Sequence, residues 1–397
     1  MTSAAVVCGL GAWVPPTVVP NAALVEELDT SDEWIRTRTG IAQRHLIAPG
    51  DATSDLAVEA GRRALESARR TAARHGTGGT TTAAAGAGEP GTTSGRHGAG
   101  SPSSTDSPDD ADGPGGPSSP GGEPVDLLVL ATSTPDHPCP ATAPAVAARL
   151  GLGSVAAFDV GAVCTGFVYA LATAASMLTA GVATRALVIG ADTFSTILNP
   201  GDRTTRAIFG DGAGAVVLRA GRADEPGALL GFDLGSDGAG ADLITVRAGG
   251  SRQRSTAGPA PAGDEYFTMA GRAVFTQAVL NMSKSALALV DRIGWSQPGL
   301  DRVVAHQANA RILRAVGDQL GLADEQVVSN LDRVGNTVAG SIPLALADAV
   351  RAGDLRPGQR VLLTGFGGGL TWGSTALIWP DLSVDAPHVP TIRKEQP

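Results

Sequence analysis

The chain has 397 residues, 43% hydrophobic and 17% charged, with a formal net charge of −9 at pH 7. That length and composition specify a globular protein with one large core or two fused ones. The acidic balance argues against a nucleic-acid-binding surface and leaves room for a local basic patch that receives an acidic partner.

Three cysteines, Cys8, Cys139 and Cys164, have no metal-like spacing, so neither a disulfide framework nor a metal site is expected. A reducing cytoplasm fits. We find no basic N-terminal region followed by a long apolar run, and no stretch reaching the roughly 18 apolar residues that span a bilayer, so neither export nor a membrane span is expected.

In chain order, Ala4–Leu10 reads as a buried first strand. In LDTSDEWIRTRTGIAQRH, residues 28–45, Trp34 stands among Arg36, Arg38 and Arg44. An indole that stacks on a base, with guanidinium groups that fork onto phosphates, suits a nucleotide. The segment also reads as a solvated helix with one packed Trp. Ala57–Arg70 follows as an amphipathic helix with Leu56, Ala60, Ala64 and Leu65 on one side. Residues 71–122 then contain no Val, Ile, Leu, Met, Phe, Tyr, Trp, Cys or Lys. Such a segment cannot bury enough apolar surface to offset its ordering entropy, so a disordered insertion within one domain is expected.

Beyond it, the strands Val125–Thr132, Val155–Val160 and Arg185–Ala191 alternate with helical patterns at Thr142–Leu150 and Cys164–Ala180. These strands are continuously apolar, as in a sheet covered by helices on both faces. Cys164 falls at a strand-to-helix junction in FDVGAVCTGF. A thiol there faces unpaired N–H groups and the positive end of the helix dipole, which stabilise its thiolate. A buried structural cysteine fits the position as well. GDGAGA, residues 210–215, reads as a glycine-rich turn into Val216–Leu218; without a following Lys-Ser or Lys-Thr it implies close backbone packing rather than a phosphate loop.

The second half repeats the order. Strand Ala228–Leu234, helix Arg272–Ile293, strand Asp301–Ala305, helices near Ala310–Leu320 and Gly340–Arg351, and strands Arg360–Thr364 and Thr371–Trp379 succeed one another. This suggests an internal duplication, 1–225 and 226–380, with a site at the interface and a loose tail at 381–397. Of six histidines, only His306 ends a buried strand; His45, His75, His97, His137 and His388 fall in polar turns, the insertion or the tail. Alone, His306 also reads as a satisfied core histidine. Taken with Cys164, with Asn336 in RVGNTVAG, and with a glycine loop at 367–369 that can present backbone N–H groups, it describes nucleophilic acyl transfer.

The ordered motifs LDTSDEWIRTRTGI, FDVGAVCTGF, DRTTRAIFGDGAGA, LGSDGAGA, FTMAGRAVF, AHQANARI, RVGNTVAGS and GFGGGLTWGS carry a further reading. Through them the chain resembles β-ketoacyl-acyl carrier protein synthase III, within the thiolase-like condensing enzymes, over nearly its whole length apart from the insertion and tail. The resemblance implies an α/β, thiolase-like five-layered αβαβα fold of two duplicated halves and a homodimer. It implies decarboxylative Claisen condensation of an acyl-CoA primer with malonyl-acyl carrier protein, with no cofactor, since acyl-CoA is a substrate.

By the same resemblance Cys164 is the nucleophile, with the thioester oxygen held by the backbone N–H groups of Cys164 and Gly368. His306 and Asn336 hold the malonyl thioester carbonyl. The implied coenzyme A contacts are Thr30, Trp34, Arg38, Arg203 and Asn309, and Arg272 and Arg311 receive the carrier protein. The acyl pocket falls to Cys139, Phe194, Phe209, Phe267 and Met269. Cys139 stands where relatives often carry an aromatic residue that crosses the dimer, so a primer other than acetyl is expected. No cysteine follows Cys164, unlike thiolases, and only His388 follows His306, unlike the elongating synthases. An acyltransferase that moves the Cys-bound group to a small-molecule hydroxyl or amine is the alternative.

Overall fold

Each half of the sequence builds one sheet. The computed structural model describes residues 3–76, 124–256 and 258–384. Strands β1 (Ser3–Trp13), β2 (Leu127–Ala131), β3 (Ala156–Val160), β4 (Arg185–Asp192) and β5 (Gly212–Arg222) form a five-stranded sheet in the order β1-β5-β4-β2-β3. Within it β2 runs parallel to β3 and β4, and β5 is antiparallel to β4 and β1.

β6 (Leu229–Ser236), β7 (Arg302–Ala305), β8 (Arg360–Gly367) and β9 (Thr371–Ile378) repeat the pattern in the order β7-β8-β9-β6. There β7 is parallel to β8, and β9 is antiparallel to β8 and β6. A single parallel bridge, Val303 with Val327, stands where β3 stands in the first sheet. The expected duplication is therefore present strand by strand.

The principal helices are α1 (Asp32–Thr39), α2 (Thr53–Gly76), α3 (Ala143–Arg149), α4 (Gly166–Thr179), α5 (Gly271–Arg292), α6 (Ala310–Gln319) and α7 (Ser341–Ala352). α2 and α3 cover the outer face of the first sheet, α4 and α7 lie between the sheets, and α5 and α6 cover the second, giving five layers. Enclosure explains why α4 is apolar nearly all round and why β4 is buried along its whole length. Within GDGAGA, residues 212–215 prove to be the start of β5 rather than a turn. A Cβ at Gly214 would lie 2.7 Å from Pro343 Cβ, so glycine there lets α7 lie directly on the strand.

Several expectations are corrected. α2 continues past Arg70 to Gly76, so residues 71–76 of the expected insertion are helical; Thr71 is buried and its hydroxyl accepts the Ser383 N–H at 3.2 Å. The rest of that insertion lies outside the described residues. Trp379 and Leu382 are buried, so the chain beyond β9 begins by packing on the core, while residues past 384 lie outside the described residues. His45 is not in a polar turn: it sits on a short strand, Gln43–Leu46, paired with Thr17–Pro20, fully buried with Nδ1 2.6 Å from the Pro15 carbonyl oxygen. α5 is long and apolar enough by composition to cross a membrane. Its packing against β8 and β9 accounts for that apolarity.

Candidate active site

Cys164 occupies a tight turn, Val163–Thr165, between β3 and α4. The turn is strained: Val163 has φ 45°, a left-handed conformation that costs a β-branched residue about 1–3 kcal/mol. The second half carries the same device, with Val338 at φ 50° in the turn Val338–Gly340 before α7. Strain stored at the same point in both halves marks the sheet ends as places where side chains are aimed rather than merely packed.

Cys164 is 9% exposed. Burial pushes its thiol up, the nearby Asp192 carboxylate adds to this, and a hydrogen bond from its own backbone opposes both. The reading of a stabilised resting thiolate is thus corrected: burial holds Cys164 as a thiol at rest.

His306 follows β7, its N–H donating to the Thr364 carbonyl at 2.8 Å as though the strand continued. Its Nδ1 lies 2.7 Å from Ser341 Oγ, at the start of α7. Burial pushes the imidazole down to about 3, against a backbone hydrogen bond to Val338, so the ring is neutral at physiological pH. Asn336 is oriented just as firmly: its Oδ1 accepts the Val338 N–H at 2.9 Å, and its backbone pairs with Ile208 and Gly210. With Oδ1 occupied, the amide NH2 is the end left for the cavity that Asn336 lines.

Cys164, His306 and Asn336 line one cavity of about 60 Å³, together with Phe194, Phe209, Phe267 and Met269. The three phenylalanine rings pack together with centroids 4.6, 4.9 and 5.2 Å apart, Phe267 edge-on to the other two. Gly367 and Gly368, at the end of β8, back the turn that holds the thiol. A Cβ at Gly367 would lie 2.7 Å from Cys164 N, and one at Gly368 3.3 Å from a Val163 methyl. Cys139 does not line this cavity; it is exposed on the loop after β2.

At the mouth, α1 is capped by Ser31, whose hydroxyl accepts the Trp34 N–H, and ends at Gly40 with φ 80°. A Cβ at Gly40 would lie 2.5 Å from Ala310 Cβ, so α1 stops hard against the start of α6. Asn309, the N-cap of α6, lines the cavity beside that junction. Two guanidinium groups lie over the Trp34 indole, Arg38 at 5.0 Å and Arg203 at 5.3 Å from the ring centroid. Thr30, two residues before α1, has a buried Oγ1 without a hydrogen-bond partner.

Arg36 and Arg44 leave the nucleotide group. Arg36 pairs with Asp32 at 2.8 Å, and Arg44 is buried, donating to Val19 O, Asn21 Oδ1 and Ala207 O. Arg272, at the start of α5, and Arg311, over the Phe275 ring at 5.7 Å, are exposed, each next in sequence to a residue that lines the cavity, Gly271 and Ile312. Sequence reasoning missed Asp192 and Ser341. An acidic residue closing an otherwise apolar strand, ALVIGAD, was the available signal for Asp192.

A family model described as 3-oxoacyl-[acyl-carrier-protein (ACP)] synthase III matches residues 158–238, and the model of its C-terminal part matches residues 290–379. The chain is 54% identical to β-ketoacyl-[acyl-carrier-protein] synthase III 5 of Streptomyces coelicolor, over 96% of this chain and 99% of that one. The solved 3-oxoacyl-(acyl carrier protein) synthase III of Pseudomonas aeruginosa is 49% identical, with a TM-score of 0.77 covering 96% of this chain and 99% of that one. The priming β-ketosynthase of the R1128 polyketide biosynthetic pathway is similar at 28% identity, with a TM-score of 0.75 over 95% and 96% of the two chains.

Proposed function

The chain belongs to the 3-oxoacyl-[acyl-carrier-protein] synthase III family, and on that premise we propose that it condenses an acyl-CoA primer with malonyl-acyl carrier protein. The product is a β-ketoacyl-acyl carrier protein that starts a fatty-acid or polyketide chain. The observation that carries this reading is the meeting of Cys164, His306 and Asn336 in one buried cavity, each delivered by a sheet end or strained turn.

In the first half-reaction the Cys164 sulfur attacks the thioester carbonyl of the primer. The developing oxyanion accepts hydrogen bonds from the N–H groups of Cys164 and Gly368, and coenzyme A leaves with the proton that the thiol gives up. Because Cys164 rests protonated, the N-terminus of α4 acts on the negative charge as it forms rather than storing a thiolate.

In the second half-reaction the malonyl carboxylate departs as carbon dioxide, and the electron pair of the broken C–C bond passes into an enolate. His306 Nε2–H and Asn336 Nδ2–H hold its oxygen, with Nδ1 lying against Ser341 Oγ. The enolate carbon attacks the acyl-Cys164 carbonyl, the C–S bond breaks, and the thiolate recovers a proton from solvent. Two neutral donors in a water-poor cavity suit this step, since a charged imidazolium would be tempted to protonate the enolate.

The indole and guanidinium groups of Trp34, Arg38 and Arg203, with Thr30 and Asn309, suit the nucleotide and pantetheine arm of coenzyme A. Arg272 and Arg311 suit an acidic carrier protein. Phe194, Phe209, Phe267 and Met269 bound the acyl group, and in a homodimer the exposed Cys139 would reach the partner's cavity with a small side chain, leaving room for a primer larger than acetyl. The intact His306–Asn336 pair favours condensation over acyl transfer to a hydroxyl or amine.

Intact-protein mass after exposure to a panel of acyl-CoAs, followed by malonyl-acyl carrier protein, tests the reading. An adduct absent from Cys164→Ala and discharged as ketoacyl product is expected. An adduct that only an alcohol or amine removes would replace condensation with acyl transfer.

A further inference from the structure

The two strained turns beside the cavity are counterparts, but they are finished differently. Val163 and Val338 share the left-handed backbone and each turn feeds a central helix, so Ala339 stands in the second half where Cys164 stands in the first. The residues closing the adjacent strands also correspond: Asp192 ends β4 paired with Gly212, and Gly367 ends β8 paired with Thr371. Opposite Cys164 the strand ends in glycine, where even a Cβ would come within 2.7 Å of Cys164 N, so no side chain stands against that N–H. Opposite Ala339 it ends in Asp192, whose Oδ2 accepts the Ala339 N–H at 2.9 Å. Asp192 Oδ1 accepts the Ser133 N–H at 2.7 Å, with the Thr132 and Thr134 hydroxyls each 3.4 Å away. The fold thus has two equivalent anion-accepting turns, one open for a substrate oxygen and one filled by the protein's own carboxylate.

We propose that Asp192 is a positioning residue: by filling the second turn it fixes Asn336 and His306 in the geometry that holds the enolate. The links are short. Val338, whose N–H fixes the Asn336 amide, directly precedes Ala339, and Ser341, whose hydroxyl holds His306 Nδ1, lies two residues after it. A carboxyl group is required because both of its oxygens accept a backbone N–H; an isosteric Asn can accept at one and must set its NH2 against the other. The role deepens the condensing reading and rests on it.

Asp192→Asn is the first variant, with the half-reactions measured separately. Acylation of Cys164 by acyl-CoA is expected to stay within about threefold of wild type, while single-turnover condensation of preacylated enzyme falls by roughly tenfold or more. Backbone amide exchange over residues 338–341 should quicken, a readout that does not depend on what the enzyme acts upon. Equal loss in both half-reactions, or unchanged exchange, overturns the role of Asp192 even where wild type condenses normally. Failure of wild type itself to take up any acyl group instead overturns the condensing reading, and exchange still decides the question for Asp192.

Asp192→Gly provides the second variant. Formate should raise its unfolding temperature and, with the enzyme preacylated, its condensation rate, whereas formamide should not. Equal effects of the two would show that a carboxylate in this turn is not what matters.

Discussion

Gly367→Ala tests the oxyanion site by adding one methyl group. The ideal Cβ would stand 2.7 Å from Cys164 N and 3.0 Å from its Cβ, both atoms held by the strained turn, so neither can yield cheaply. Gly367 is not among the glycines with positive φ, so alanine adds no backbone strain of its own and the effect is steric. The methyl would occupy the approach to the Cys164 N–H. Loss of one oxyanion donor is worth about 3–4 kcal/mol, so acylation should slow by roughly 10²–10³. Overpacking should also lower stability by about 1–3 kcal/mol.

Gly365→Ala is the control, two residues earlier on the same strand face. Its Cβ would meet Cys164 O at 3.5 Å and Thr165 Cα at 3.6 Å, ordinary contacts. A much smaller loss than at Gly367 is expected there. The assay is the single-turnover rate of acyl transfer from acyl-CoA to Cys164, followed by mass, beside a thermal unfolding curve. If Gly367→Ala acylates as fast as Gly365→Ala, the Cys164 N–H does not take part and the oxyanion assignment is wrong.

Further outcomes follow from charge and burial. His306 is pushed down to about 3 from 6.5, so the unfolded chain binds its proton first and stability falls as pH drops from about 6.5 towards 3. Burial pushes Asp192 up to about 7 from 3.8, against hydrogen bonds to Ser133, Ala339, Thr134 and Thr132; there the folded state binds the proton first and stability falls as pH rises from about 3.8 through 7. The two slopes oppose, so Asp192→Asn should steepen acid destabilisation between pH 6.5 and 4 by up to about 1.4 kcal/mol per pH unit, and unfolding midpoints that stay parallel to wild type would contradict this. Trp34→Ala should raise KM for acyl-CoA by about five- to tenfold and leave a short thioester lacking the nucleotide unaffected; equal effects on both would place Trp34 outside the coenzyme site. Arg272→Glu with Arg311→Glu should raise KM for malonyl-acyl carrier protein and flatten its salt dependence while sparing Cys164 acylation, as measured by varying ionic strength.

The layered fold and the Cys164, His306 and Asn336 set were legible in the sequence because both are written locally. Continuous apolar strands announce covered sheets, and a Cys or His just after such a strand is delivered to its end. The order of elements, repeated after residue 226, by itself implies the duplicated architecture.

Tertiary structure decided what depends on cover and on distant partners. Arg44 and His45 look solvated in a polar stretch, yet folding encloses that hairpin and both side chains are buried. The dipole at the head of α4 is a local property, but the protonation of Cys164 follows from the layers closing over it. Asp192 meets the N–H of Ala339, 147 residues away, only because two copies of one sheet pack about a shared pair of helices. Local chemistry sets which side chains reach the strand ends; the packing of the halves sets which N–H is open to a substrate and which is already filled.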